Sequence, residues 1–169
     1  MTGQTTAAAR DVAPTRVLVR PDRLQAKSFA LLRTRPEGLP AATQRLLISG
    51  RFGVNWNLAQ RIPVAFSGAY WLVPGDGYLC IVSRIPTTPG AGMACNETWR
   101  ARSEGLATIS FSSEKSTSPS VREMVGVTRD GARSVLVHTG SKVKSIPVVN
   151  GIFALRDSAA TPPDRLTVR

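Results

Sequence analysis

Runs of aromatic and β-branched residues, interrupted by turn-forming residues, recur through the middle of the chain and predict a protein built mainly from β-strands. Residues 70–73 and 78–82 are two such runs, and their residue types favour strands. Between them lies Pro-Gly-Asp-Gly at residues 74–77, whose glycines tolerate the positive φ of a tight turn. We therefore predict a β-hairpin over residues 70–82.

The last third of the chain repeats this pattern in four β-rich runs, at residues 121–128, 134–139, 143–149 and 152–155. Asp130-Gly131 and Asn150-Gly151 stand between runs, and such dipeptides are strong hairpin signals because a type I′ turn requires positive φ at both central positions. The pattern predicts an antiparallel meander. Gly126 indicates a bulge or a close backbone approach, and Pro147 indicates an edge position.

The first third of the chain carries helical patterns instead. Asp22 and Gln25 have the spacing of a capping box and open a helix that Pro36 ends. A second helical piece is predicted over residues 40–48, and a short one begins after Asn55. The predicted fold class is therefore α+β, with short N-terminal helices packed on a predominantly antiparallel β-sheet.

A length of 169 residues fits one globular domain with flexible ends. We predict a flexible basic leader over residues 1–20 and a flexible tail over residues 156–169. The domain between them spans residues 21–155, with a helical portion at 21–63 and a β-rich portion at 69–155.

The chain contains two cysteines, Cys80 inside a predicted strand and Cys95 beyond a loop rich in proline and glycine. A disulfide between them would close a loop of 95 − 80 = 15 residues, which the chain-entropy model values at about 3 kcal/mol. One alternative is a pair of unpaired, buried thiols. The other is a reactive or metal-binding role, although no further cysteine or histidine stands at ligand spacing.

The net charge of +11 is unevenly distributed along the chain. Residues 1–61 contain ten lysines and arginines against three acids, a net charge of +7, which leaves +4 for the remainder. Such an excess attracts phosphates, anionic lipids and anionic polymers. Arginine-rich chains are also typical of GC-rich genomes, and no block of five or six consecutive cations marks a nucleic-acid-binding tail.

No apolar run is long enough to span a bilayer, so the sequence predicts no transmembrane segment. The first 50 residues also lack an uninterrupted apolar stretch of signal-peptide length, so no export signal is predicted there.

Residues with catalytic potential are few and scattered. His138 is the only histidine, and its position within a predicted strand indicates a structural or surface role. Asp76 and Asp130 stand in predicted turns, where local hydrogen bonding accounts for aspartate. We therefore predict no catalytic, cofactor-binding or metal-binding residue and no cofactor.

Four motifs together resemble a known group of proteins: W-L-V-P-G-x-G-x-L-C at residues 71–80, a cysteine at 95, G-V-x-x-D-G at 126–131 and P-V-V-N-G-I-F at 147–153. The chain resembles a loose group of small actinobacterial exported or membrane-tethered proteins of unknown function. The resemblance implies an exported or envelope-tethered β-rich domain with a disulfide. It implies no reaction, because the group has no assigned activity.

The sequence thus favours a non-catalytic domain, structural or ligand-binding, located outside the cell or in the cell envelope. Its partner would be an anionic surface or polymer, or another envelope protein. The alternative is a cytoplasmic nucleic-acid-binding protein, motivated by the charge of +11 and the basic first third. A further alternative is an enzyme without a recognisable motif.

Overall fold

Three antiparallel β-sheets and several short helices form the part of the protein that the computed structural model describes. That part comprises residues 20–47, 52–86, 90–113, 121–157 and 163–169. Its helices are α1 (Arg23–Ser28), α2 (Ala41–Gln44) and α3 (Thr98–Glu104), with 3₁₀ turns at Ala30–Arg33 and Trp56–Leu58. Residues 1–19 of the predicted leader lie outside the described residues.

Sheet A contains four strands in chain order, β1 (Gln60–Ile62), β2 (Ala69–Gly75), β3 (Tyr78–Arg84) and β4 (Ala91–Glu97). In sheet B the central strand is β6 (Val121–Thr128), flanked by β5 (Leu106–Ser113) and β9 (Ile152–Asp157). In sheet C the central strand is β7 (Ser134–Thr139), flanked by β8 (Lys142–Pro147) and β10 (Arg165–Val168).

Sheet B is the middle layer, and the alternation of side chains along β6 shows why. Val125 and Val127 belong to a hydrophobic cluster shared with β2 and β3 of sheet A. Met124, on the opposite face, belongs to a cluster shared with β7 and β8 of sheet C. Because successive strand residues point to opposite faces, one strand supplies the core on both of its sides.

Sheet A is also covered on its second face, which explains the continuous apolar runs in its central strands. Tyr70 and Leu72 point towards sheet B, whereas Trp71 and Val73 belong to a cluster with Leu39 and other residues of the N-terminal third. Strands buried on both faces read as unbroken hydrophobic stretches rather than as an alternation.

The capping box of α1 anchors the N-terminal third to the sheet. Asp22 caps the helix by accepting from the backbone N–H of Gln25 at 2.8 Å, and the fully buried Gln25 side chain completes the box. The Nε2 atom of Gln25 also lies 3.1 Å from the Gly75 carbonyl, 2.7 Å from the Tyr78 carbonyl and 3.0 Å from Thr98 Oγ1. One amide thus joins α1, the β2–β3 turn and α3.

A second attachment comes from Asp130, which follows β6. Its carboxylate accepts from the backbone N–H of Ala30 at 2.8 Å and contacts Arg33 at 2.7 Å, while its own N–H donates to Ser28. The expectation that local hydrogen bonding accounts for this aspartate therefore needs correction. Its bonds are long-range, and they hold the helical segment against the end of sheet B.

The predicted α+β class with predominantly antiparallel β-structure is confirmed. Of the two predicted type I′ turns, the one at Asn150-Gly151 is present, with φ of 52° and 75°, whereas Asp130 lacks the positive φ that the other requires. Gly126 makes the predicted close approach, because a Cβ there would collide with the Phe153 ring and lie 2.9 Å from the Ala107 carbonyl oxygen. Pro147 ends the edge strand β8, as expected.

The four C-terminal runs do not form the predicted meander. β6 pairs with β5 and β9, so it has no free edge for β7, and the backbone N–H groups of Arg129 and Asp130 bond to Gly105 and Ser28. The turn at Asn150 carries the chain from sheet C to sheet B. The predicted tail likewise contains β10, which pairs with β7 and directs Leu166 and Val168 towards the hydrophobic cluster between sheets B and C.

We expect Gln25→Ala to lower the free energy of unfolding by about 2–4 kcal/mol, because it leaves buried carbonyl groups without a donor. Urea unfolding followed by circular dichroism measures this change. Lys27→Ala on the exposed side of the same helix is the control and should change stability by no more than about 0.5 kcal/mol. Equal effects of the two substitutions would contradict the anchoring role of Gln25.

Candidate functional site

Cys80 and Cys95 form a disulfide between neighbouring strands. They stand directly opposite each other in the β3–β4 register, with 4.0 Å between their Cα atoms. Directly opposed residues in antiparallel strands approach most closely at the positions that are not hydrogen-bonded to each other, about 4.5 Å between Cα atoms. The bond consumes both thiols, so neither cysteine is a nucleophile or a metal ligand while the bond is intact.

Strand β4 leads without a linker into α3, so the disulfide also positions this helix. The Thr98 N–H donates to the Gly77 carbonyl at 2.8 Å, and Thr98 and Ala101 are buried against the sheets. The helix ends at Gly105, whose φ of 77° is the left-handed conformation common at helix C-termini. Arg100, Ser103 and Glu104 are left on the exposed side.

An open groove of about 780 Å³ runs between α3, β5 and β10. Its apolar surface comes from sheets B and C, through Leu106, Met124, Leu166 and Val168. Its polar and charged lining comprises Asn96, Arg100, Ser103, Glu104, Thr108, Arg129, Asp164, Arg165 and Thr167. The groove therefore combines an apolar lining with hydrogen-bonding and charged side chains of both signs.

Both carboxylates of the groove are engaged by neighbouring groups. Glu104 accepts from Arg100 Nε at 2.6 Å, and this bond together with the Glu104 charge raises the pKa of Arg100. Asp164 accepts from the Gly140 N–H at 2.5 Å, while its own N–H donates to the His138 carbonyl. The first contact lies within α3, whereas the second joins the residue before β10 to the end of β7 and the turn that follows it.

Two arginines of the groove have no ion-pair partner among the described residues. Arg129 lies across the end of α3, where a Cβ on Gly105 would be 3.3 Å from its side chain, and its N–H donates to the Gly105 carbonyl at 2.8 Å. Arg165 also lines the groove, at the start of β10. A guanidinium presents a planar fork of donors that suits carboxylate, phosphate or sulfonate oxygens.

A buried titratable pair lies elsewhere, between sheets A and B. The Tyr70 hydroxyl donates to Glu123 Oε2 at 2.9 Å, and both side chains are buried. Burial raises the pKa of Tyr70, and the hydrogen bond and negative charge of Glu123 raise it further. Arg156 Nε lies 3.6 Å from the other carboxylate oxygen. The pair is outside the groove and joins two sheets.

His138 lies on β7, inside a strand as expected. Its Nε2 is 3.3 Å from Thr167 Oγ1 on the neighbouring strand β10. This contact joins two neighbouring strands of sheet C.

Sequence reasoning missed the groove. The sequence predicts a hairpin turn next to Arg129 and a tail that contains Arg165, so no pattern in the sequence places the two arginines in one site. The alternation of Leu166 and Val168 with polar residues is the signal that could have predicted β10. A pattern of four residues is too short to identify a strand by itself.

Comparison of the chain with protein-family models, with curated proteins and with solved structures found no match. Within the described ranges, the helices are too short or too polar to cross a lipid bilayer.

We expect the free energy of unfolding to fall as pH rises above about 10, because the unfolded state then releases the Tyr70 proton that the native state retains. The slope contributed by one such group reaches about 1.4 kcal/mol per pH unit. Tyr70→Phe should remove this contribution, whereas Tyr78→Phe should leave it in place. Urea titrations at successive pH values measure both, and identical slopes in wild type and Tyr70→Phe would contradict the assignment.

Proposed function

We propose that the protein is a non-catalytic, exported or cell-envelope-associated domain whose groove binds a small amphipathic anion. The disulfide between β3 and β4 is the observation that supports a location outside the cell or in the envelope. Disulfides persist in oxidising compartments and are rare in reducing ones, and Cys80 is fully buried within a hydrophobic cluster.

The lining of the groove supports a binding role. Ligand sites commonly combine an apolar surface with a few placed polar groups that fix orientation. Leu106 and Met124 supply the apolar part, and Arg129 and Arg165 supply cationic groups. The guanidinium groups would donate hydrogen bonds to a carboxylate, phosphate or sulfonate, and an apolar portion of the same ligand would contact the apolar side chains.

The engaged carboxylates favour binding over acid–base chemistry. A general base must reach the proton that it removes from a substrate. Glu104 accepts a hydrogen bond from Arg100, and Asp164 accepts one from the Gly140 N–H, so each carboxylate is already hydrogen-bonded within the protein. The Tyr70–Glu123 pair is buried in a separate interface.

The charge of +11 favours a second candidate, a nucleic-acid-binding protein. Such proteins stack bases on exposed aromatic rings. The Trp71 ring is buried, and the Arg61 guanidinium lies 4.8 Å from its centroid. That ring is therefore covered by the protein itself, and none of the described residues that line the groove is aromatic, so these residues offer no ring for base stacking and we place this candidate second.

Binding of anilinonaphthalene sulfonate, an anion with an apolar ring system, tests the groove directly. We expect the double variant Arg129→Gln/Arg165→Gln to bind the dye at least about tenfold more weakly, because each charged hydrogen bond contributes about 1.5–3 kcal/mol. Fluorescence titration measures the affinity. Lys142→Gln/Lys144→Gln on β8 removes the same charge from the other edge strand of sheet C and should change affinity less than about twofold.

Equal affinity in wild type and both double variants would overturn the groove assignment. Salt-dependent binding of duplex DNA that the groove substitutions weaken, together with no dye binding by the wild type, would favour the nucleic-acid candidate instead.

A further inference from the structure

Helices α1 and α3 lie side by side on the surface and are joined at two levels. Gln25 Nε2 lies 3.0 Å from Thr98 Oγ1, and Arg102 Nε donates to Ser28 Oγ at 3.1 Å. The residue numbers increase from the first contact to the second in both helices, so the two helices are parallel. They form one continuous surface.

This surface exposes two large apolar side chains. Leu24 is 50% exposed and Trp99 is 65% exposed. Leu24 precedes Gln25 in the chain, and Trp99 follows Thr98, the partner of Gln25. At 100° per residue, Trp99 lies between the side of α3 that meets α1 and the side that lines the groove. Most of the ring is therefore open to solvent.

Cations lie within four residues of these two side chains along the chain. We define the docking face as Leu24 and Trp99 together with Arg20, Arg23, Lys27 and Arg102. The structure gives no ion pair to these four cations within the described ranges, and Arg102 instead donates to Ser28. Asp22 is committed to the α1 cap and Glu104 to Arg100, and the exposed Glu97 is the remaining acid of the two helices.

We propose that this docking face binds an anionic phospholipid surface. Tryptophan favours the membrane–water boundary, where its ring is partly buried among the lipids. Leucine adds apolar area that inserts below the headgroups, and cations attract anionic headgroups. A soluble polyanion would use the cations and the ring but gains little from an exposed leucine, so the composition favours lipid. The surface is distinct from the groove, and its role does not depend on the proposed ligand.

Sedimentation with lipid vesicles tests the inference with the full chain. We expect binding to phosphatidylcholine vesicles that contain about one third phosphatidylglycerol, and far weaker binding to phosphatidylcholine alone. Leu24→Ala/Trp99→Ala should weaken binding at least about tenfold through lost apolar area. Arg23→Gln/Lys27→Gln should weaken it about fivefold for each charge removed.

Matched controls separate the docking face from general charge and hydrophobicity. Leu46→Ala removes an exposed leucine outside the docking face, and Lys142→Gln/Lys144→Gln removes two charges on sheet C. Both controls should retain most of the vesicle binding. The affected side chains are exposed, and urea midpoints equal to wild type will show that every variant is folded.

Equal binding to neutral and anionic vesicles, or equal losses in the docking-face and control variants, would overturn the inference. Binding to duplex DNA without binding to anionic vesicles would overturn it in favour of a polyanion. The groove test remains separate, because Leu24→Ala/Trp99→Ala should keep dye binding, and Arg129→Gln/Arg165→Gln should lose no more vesicle binding than the sheet C control.

Discussion

The covalent link between Cys80 and Cys95 joins the centre of sheet A to its edge strand. β4 pairs with a single neighbour and continues directly into α3, so whatever holds β4 also holds the helix. The exposed side of α3 supplies one wall of the groove, and Trp99 projects from the same helix. Both proposed binding surfaces therefore depend on an edge strand that the disulfide keeps in place.

Sheet B performs a second organising role because it is shared by two hydrophobic layers. Gly126 lets β6 lie against the Phe153 ring, where any side chain would collide. The Tyr70–Glu123 bond joins sheet A to sheet B across the first layer. Gln25 and Asp130 then attach the helical third to these sheets. These long-range polar contacts thus complement the three apolar clusters of the core.

The sequence allowed correct prediction of features that depend on a few neighbouring residues. The capping box at Asp22 and the type I′ turn at Asn150 are examples, because local residue preferences specify each. The choice of strand partners depends instead on which faces become buried. β6 therefore pairs with β5 and β9 rather than with the next strand along the chain. The groove was missed for the same reason, since it joins Arg129 to a strand that begins at Arg165.

The central claim is that the protein functions with this disulfide formed, outside the reducing interior of the cell. Protein purified from its native host without reductant, and treated with iodoacetamide while unfolded, tests that claim by intact mass. The account predicts a mass two hydrogens below the reduced chain and no added alkyl groups. Alkylation of both Cys80 and Cys95 would contradict it.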